Sequence, residues 1–547
     1  MMDRRELLKS SLLGCGAAVA GSALGSRLSR AVLADDTAPT GPIVKTSLGR
    51  LRGAFANGVY SFKGIHYGAS TEGPMRFLPP STPKPWTDVR DALEIGPPAP
   101  QVTKWPSLPA ELVEFMGDYV GPGQMGEDCL VLNLWTSSLH SQDKRPVMVW
   151  LHGGSFSYGS SGIPVFDGTN LAAKHGVVIV GLNHRLNFFG HLYLGVIGGE
   201  KYADSGNVGL LDIVLALQWV RANIRSFGGD PTNVTIFGYS GGGAKVGALM
   251  AMPSAKGLFQ KAIVESGSEL RVSSDEEADA TARKFLAQLH VALDRVDDLR
   301  MIPMDRLIAA LDSMGESSLS VGPVLDGRSL PRQPFDPDAP AITAHVPMLI
   351  GTNGDESTLL LGLFDPTLFS LNEADLRIKV KAHLRLADDS KLDSLIAAYR
   401  KSRPHATPSD IFFAITTDRM MRMDAITQAE RKAAQHAAPV YMYIFEWHTP
   451  VLGGKLKATH GIEVAFVFDN VDKVPRWIGQ GTGLQALADK VSSTWVEFAR
   501  TGNPNHAGLP HWPDYETSTR ATMIFNDECK VVNDPGKDER LAIASMP

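Results

Sequence analysis

Short unbroken apolar runs recur along the first half of the chain: PVMVWLHGG (146–154), GVVIVGLNH (176–184), NVTIFGYSGG (233–242) and KAIVESGS (261–268). Each is rich in β-branched residues and stops at glycine, asparagine or serine, the pattern of a strand buried on both faces. Segments of helical period lie between some of them, LLDIVLALQWVRANI (210–224) being the clearest. Strands alternating with helices predict a parallel-rich sheet covered by helices on both sides. VPMLIGTN (346–353) and PVYMYIFEW (439–447) read as later strands, with long, mostly helical insertions over 276–314 and 372–435. Ahead of these, between Ile43 and Gly64, shorter alternating runs predict an antiparallel hairpin region. No internal repeat and no low-complexity tract breaks this order.

In an open α/β sheet the reactive groups collect where strands end, so the residues after each run carry the argument. Gly238 and Gly242 bracket Ser240 in the spacing G-x-S-x-G, between a strand and the helical AKVGALMAM (244–252). That spacing suits a sharp turn presenting a serine hydroxyl above the sheet, although glycine and serine are also ordinary turn residues. HGGSF (152–156) is a glycine-rich turn whose N–H groups, with that of Gly241, can form an oxyanion hole; it also reads as a plain Gly-Gly turn. TNGDES (352–357) offers two acids, Asp355 and Glu356, and ATHGIEVAFVF (458–468) places His460 just before an alternating apolar run. Taken singly, such carboxylates are usually solvated and such a histidine is usually a surface or core residue. Serine, acid and histidine in that order, each after a strand-like segment, is the α/β-hydrolase order.

The chain resembles the type-B carboxylesterase and cholinesterase family, including bacterial para-nitrobenzyl esterases, over nearly the whole region after the N-terminus. FKGIHYG, GEDCLVLNLWT, VMVWLHGGSF, NHRLNFFG, THGIEVAFVF and above all WVRANIRSFGGDPTNVTIFGYSGG carry the resemblance. It implies an α/β-hydrolase fold, a central, mostly parallel mixed sheet flanked by helices with helical insertions. It implies Ser240 as nucleophile, His460 as base and Glu356 as acid, with N–H groups of Gly154, Ser155 and Gly241 receiving the oxyanion and Gly153 shaping the turn. Glu463 is a further candidate only as a supporting group. The implied reaction is carboxylic ester hydrolysis through an acyl-enzyme, without cofactor or metal. Amide, carbamate and lactone hydrolysis share that chemistry, and related adhesion proteins lack the nucleophile altogether.

Departures from the family pattern shape the expectations. Tyr239 stands where glutamate commonly precedes the nucleophile, Gly241 where alanine follows it, Ser155 where the turn usually has glycine or alanine, and Ser357 where glycine follows the acid. A family disulfide to Cys129 cannot form, because Ala99 replaces its partner. Ser317 and Leu319 replace bulky phenylalanines of the cholinesterases. Together these imply a small-molecule substrate that is a neutral, moderately bulky ester.

Composition narrows the class. The 547 residues are 44% hydrophobic and 20% charged with a net charge of −6, which leaves no basic footprint for nucleic acid. DRRELLK (3–9) before SSLLGCGAAVAGSALG (10–25) resembles a bacterial twin-arginine export signal, and AVLA (31–34) suits cleavage after Ala34. The expected organisation is a signal at 1–34 and one carboxylesterase domain over 35–547, periplasmic or secreted. The apolar stretch is too short and interrupted for stable membrane insertion, and LLGC at Cys15 only faintly resembles a lipoprotein site. Cys129 and Cys529 are expected as free thiols, and none of the fifteen histidines stands in a metal-ligand spacing. Oligomeric state is not legible.

Overall fold

The apolar runs fold as neighbours in one sheet. The computed structural model describes residues 41–102, 123–315, 321–362 and 364–546; the export-signal and cleavage readings over 1–34, and Ser317 and Leu319, lie outside the described residues. In chain order the strands are β1 (Ile43–Lys45), β2 (Arg50–Arg52), β3 (Ala54–Ala56), β4 (Val59–His66), β5 (Val89–Asp91), β6 (Val131–Thr136) and β7 (Arg145–Leu151). They continue as β8 (Val178–Leu182), β9 (Gly229–Tyr239), β10 (Lys261–Glu265), β11 (Met348–Asn353), β12 (Val440–Phe445), β13 (Ala521–Phe525) and β14 (Lys530–Asn533). Eleven of them form one sheet in the order β14-β13-β12-β11-β10-β9-β7-β8-β6-β4-β3, and β1, β2 and β5 form a small separate one. The run from β8 through β7 and β9 to β13 is parallel, while β14 and the β6, β4, β3 edge are antiparallel.

Alternation along each strand divides the core. Val147, Val149 and Leu151 of β7 enter one apolar cluster with the helices Val208–Asn223 and Gly241–Ala251; Met148 and Trp150 enter the other with Val491 and Trp495 of the helix Leu484–Thr501. Both faces are therefore covered, which is why the central strands run apolar with little alternation, polar residues such as Glu265 and Asn353 standing at their carboxyl ends. The two insertions carry satellite cores of their own, one around Phe285, Leu286, Leu307 and Leu311, the other around Leu376, Leu395, Tyr399 and Ile411.

Several elements depart from the sequence reading. β5, β6, β13, β14 and the helix Leu484–Thr501 were not anticipated. The alternating run after His460 forms a short helix, Val464–Val467, instead of an extended segment, and each of its four side chains is buried. His460 itself lies in the long connection after Phe445, so it does not directly follow a strand.

Register brings the carboxyl ends of the central strands to one edge: Leu151 pairs with Gly238, Tyr239 with Glu265, Glu265 with Gly351, and Asn353 with Phe445. The residues singled out after β7, β9 and β11 emerge there. Among the described residues no helix is long and apolar enough to cross a membrane.

Candidate active site

Ser240 joins β9 to the helix Gly241–Ala251 at φ 53° and ψ −127°, a conformation costly for any residue with a Cβ. Two main-chain bonds hold it: its N–H donates to the Glu265 carbonyl at 2.7 Å, and its carbonyl accepts from the Ala244 N–H at 3.1 Å. The neighbouring glycines are required by contact. A Cβ on Gly242 would sit 2.0 Å from the Leu151 carbonyl oxygen, and one on Gly241 would sit 2.1 Å from that of Ser155. Bare helix backbone thus rests directly on the turn after β7, and Ser240 remains half-buried beside residues that are buried.

That turn, His152–Phe156, passes through two consecutive left-handed residues, Gly154 at φ 89° and Ser155 at φ 51°. In a trans peptide the carbonyl and the next N–H point in opposite directions, so holding a carbonyl aims the N–H beyond it. The Gly153 carbonyl faces His152 Nδ1 at 2.8 Å, which orients the Gly154 N–H. The Gly154 carbonyl accepts from the N–H groups of Ser157 and Tyr158 at 3.1 and 3.0 Å, which orients the Ser155 N–H. The Ser240 carbonyl bond to Ala244 does the same for the Gly241 N–H. All three N–H groups named from the sequence therefore belong to peptide units anchored from behind, and Ser155 is exposed.

The acid and the histidine meet across the same edge. Glu356 is fully buried; its Oε1 accepts from the Asn353 N–H at 2.7 Å and its Oε2 lies 2.5 Å from His460 Nδ1. A carboxylate accepts, so Nδ1 carries the proton and Nε2 is left as the basic nitrogen. Burial alone would lower the His460 pKa, but the charge and hydrogen bond of Glu356 and the charge of Glu463 outweigh it and raise it above the ordinary 6.5. Glu463, also fully buried, accepts from Asn353 Nδ2 at 2.5 Å, and burial with the nearby Glu356 charge pushes its carboxyl up to about 7.

Asp355, the alternative acid, is held away from His460. Its N–H donates to the Ala458 carbonyl at 2.9 Å, and its carboxylate faces His448 at 3.6 Å beside a polar cavity of about 310 Å³ that also receives Arg403 and Lys457. Ser357 replaces the usual glycine without disturbance, because its hydroxyl donates to the Phe413 carbonyl at 2.9 Å and ties the acid's loop to the second insertion. Tyr239 is buried, stacked on Trp150 at 5.9 Å, and its ring packs against the Cα positions of both Gly153 and Gly461, joining the turn to the histidine loop. Cys129 is a fully buried thiol whose pKa burial pushes up, and Cys529 is a half-buried one.

A cavity of about 160 Å³ opens beside Ser155 and Phe156, bounded by Glu269, Val321 and Gly322. A larger one, about 650 Å³, lies at the opposite sheet edge near His436 and Asp514 and contains no residue of this cluster. Sequence reasoning passed over Lys245, whose Nζ donates to the His152 and Ser155 carbonyls at 3.0 and 2.8 Å. A lysine inside GGGAKVGALM, otherwise glycine and apolar, was the available signal.

Residues 40–544 match the model of the carboxylesterase family. The chain is 37% identical to a para-nitrobenzyl esterase of Bacillus subtilis (strain 168), over 92% of this chain and 98% of that protein. It is 31% identical to a phenmedipham hydrolase of Pseudarthrobacter oxydans, over 93% of this chain and 100% of that protein. Among solved structures it superposes on a carboxylesterase of Geobacillus stearothermophilus with a TM-score of 0.79 and 38% identity, covering 91% of this chain and 99% of the other.

Proposed function

The chain belongs to the carboxylesterase family, and from that membership we propose that Ser240 is its nucleophile, His460 its general base and Glu356 the acid that orients His460. The reaction is carboxylic ester hydrolysis, the activity of its family and relatives. The observation that carries the assignment is the 2.5 Å bond between His460 Nδ1 and Glu356, at the sheet edge where Ser240 follows β9.

The chemistry follows from these groups. His460 Nε2 takes the Ser240 hydroxyl proton as Oγ bonds to the ester carbonyl carbon. The carbonyl π electrons move to oxygen, and the N–H groups of Gly154, Ser155 and Gly241 stabilise the resulting oxyanion without having to reorganise. Collapse breaks the bond to the alkoxide, which leaves as alcohol with the proton from Nε2. Water then gives a proton to Nε2 and attacks the acyl-enzyme; collapse of the second intermediate releases the acid and returns the proton to Ser240. Ser240→Ala and His460→Ala are each expected to lower kcat by about 10³-fold or more while the protein still folds. Full activity in either variant would overturn the assignment.

The substrate class in this reading is a neutral, moderately bulky ester. Tyr239, neutral and buried, leaves no charge at the position before the nucleophile. One relative is named for para-nitrobenzyl esters and another for phenmedipham. Comparison of kcat/KM for acetylcholine and its neutral isostere 3,3-dimethylbutyl acetate tests this. A preference of about tenfold for the cation, about 1.4 kcal/mol, would contradict it.

Export is part of the same proposal. Arg4 and Arg5 address the precursor to twin-arginine export, with cleavage after Ala34 leaving the enzyme at 35–547. Replacing both arginines with lysine is expected to leave the precursor in the cytoplasm, and normal export of that variant would point to the general secretory route.

A further inference from the structure

Every residue of the helix Gly241–Ala251 is buried, and Lys245 is its only ionisable side chain. A buried lysine ordinarily finds a carboxylate. Among the described residues none pairs with Lys245, and burial pushes its ammonium down to about 7. Among the described residues, the titratable groups whose pKa its charge lowers are three buried imidazoles, His152, His184 and His191, and Phe156 presents its ring with the centroid 5.4 Å from Nζ. Each imidazole places Nδ1 against a carbonyl, that of Gly153, Arg185 or Gly206, so Nδ1 is the donor. The three Nε2 atoms keep bare lone pairs with no partner among the described residues, and burial followed by the Lys245 charge keeps His152 neutral at a pKa of about 3.

What the amine does is visible in its two bonds. Helical side chains slant toward the N-terminus, so Lys245 runs back along the start of its helix, where Gly241, Gly242 and Gly243 offer no side chain to the carbonyls packed there. It reaches the carbonyls of His152 and Ser155, the first and last peptide units of the turn His152–Phe156. The two peptide units between them are held by His152 Nδ1 and by the Ser157 and Tyr158 N–H groups. Every peptide of the turn is therefore fixed through its carbonyl, the outer pair by one side chain.

We propose that Lys245 is a positioning residue for the reaction: its amine clamps both ends of the turn His152–Phe156 and so keeps the Gly154 and Ser155 N–H groups aimed at the oxyanion. This rests on the Ser240 reading above. The clamp contributes to the transition state and little to ground-state binding, because a displacement of about 1 Å in such donors costs on the order of 10²-fold in rate.

Lys245→Met keeps the unbranched bulk and removes the donors. Lys432→Met is the control, since Lys432 is likewise buried and bonds the Ala344 carbonyl at 2.6 Å, far along the chain from the turn. The expected result for Lys245→Met is a kcat lower by about 10–100-fold with KM within about threefold. Affinity for a trifluoromethyl ketone, whose adduct with the serine carries an oxyanion, should fall by the same factor. Lys432→Met should lose thermal stability only. An unchanged kcat in Lys245→Met, or a lower kcat with undiminished ketone affinity, overturns the clamp. Should Lys245→Met not fold, the crystal structure of the wild-type ketone adduct decides: Nζ bonded to both carbonyls supports the proposal, and Nζ displaced from either overturns it. Failure of the parent reading looks different, because Ser240→Ala would then retain activity and the ketone would not be held by Ser240.

Discussion

On one side of Ser240 the groups held are main-chain ones, with Gly241 and Gly242 resting on Ser155 and Leu151 and three peptide units anchored through their carbonyls, that of Gly153 by the His152 ring. On the other side the groups held are side chains: Glu356 on His460, Asn353 on Glu463, and Ser357 on the Phe413 carbonyl. The first half depends on where Cβ atoms are missing, so the exposed Ser155 side chain is expected to differ from the family without consequence. The second half depends on particular functional groups at particular distances, and moving a carboxylate by one residue, from Glu356 to Asp355, takes it to a different partner.

The sharpest way to break this contrast is Glu356→Gln beside Asp355→Asn. The first is expected to cost about 10³–10⁴-fold in kcat, because an amide cannot hold His460 in the Nδ1–H tautomer as a carboxylate does. The second should stay within about tenfold, since Asp355 faces His448 and the Ala458 backbone. The reverse ranking would mean that Asp355 is the acid. Gly241→Ala attacks the other half: its Cβ must displace Ser155, and kcat is expected to fall by about 10²–10³-fold, the scale of losing an oxyanion donor. A loss confined to KM would show that the backbone contact serves binding instead.

The pH profile separates the halves more gently. As the proposed base His460 would act deprotonated, and its pKa is raised, so kcat/KM is expected to fall as pH drops through a value above the ordinary 6.5. That limb belongs to His460 and Glu463 jointly, since each carries a shift caused in part by the other. Glu463→Gln removes one of the charges that raise it, so the limb should move to lower pH; movement to higher pH would contradict the electrostatics described. Ser155→Gly should have the smallest effect, with kcat/KM within about threefold, because glycine accepts φ 51° freely and the N–H remains. A large loss there would give the serine side chain a role that the backbone account denies it.

These halves also differ in how well the sequence announced them. The glycine requirements at Gly238–Gly242 and in HGGSF are local, and so are the apolar runs of β7 to β12; both could be read directly from the chain. The pairing of Glu356 with His460 spans about a hundred residues, and only family resemblance chose between the adjacent acids. His460 sits on a long connection whose course follows from packing, and EVAFVF folds as a helix because its buried side chains meet the helix Leu484–Thr501 in the second core. Lys245 stood out in the sequence only as a charge in an apolar run: charge argues for a surface, and only the carbonyls brought to it by the turn after β7 explain its burial.

Peptide mapping by mass spectrometry after treatment with an alkyl phosphonate ester tests the central claim most directly, because the reagent phosphonylates the activated serine that two such halves create. The account predicts one adduct, on Ser240, formed in step with loss of esterase activity and absent in Ser240→Ala. Inactivation with the adduct on another residue, or an active enzyme carrying a fully modified Ser240, would contradict it.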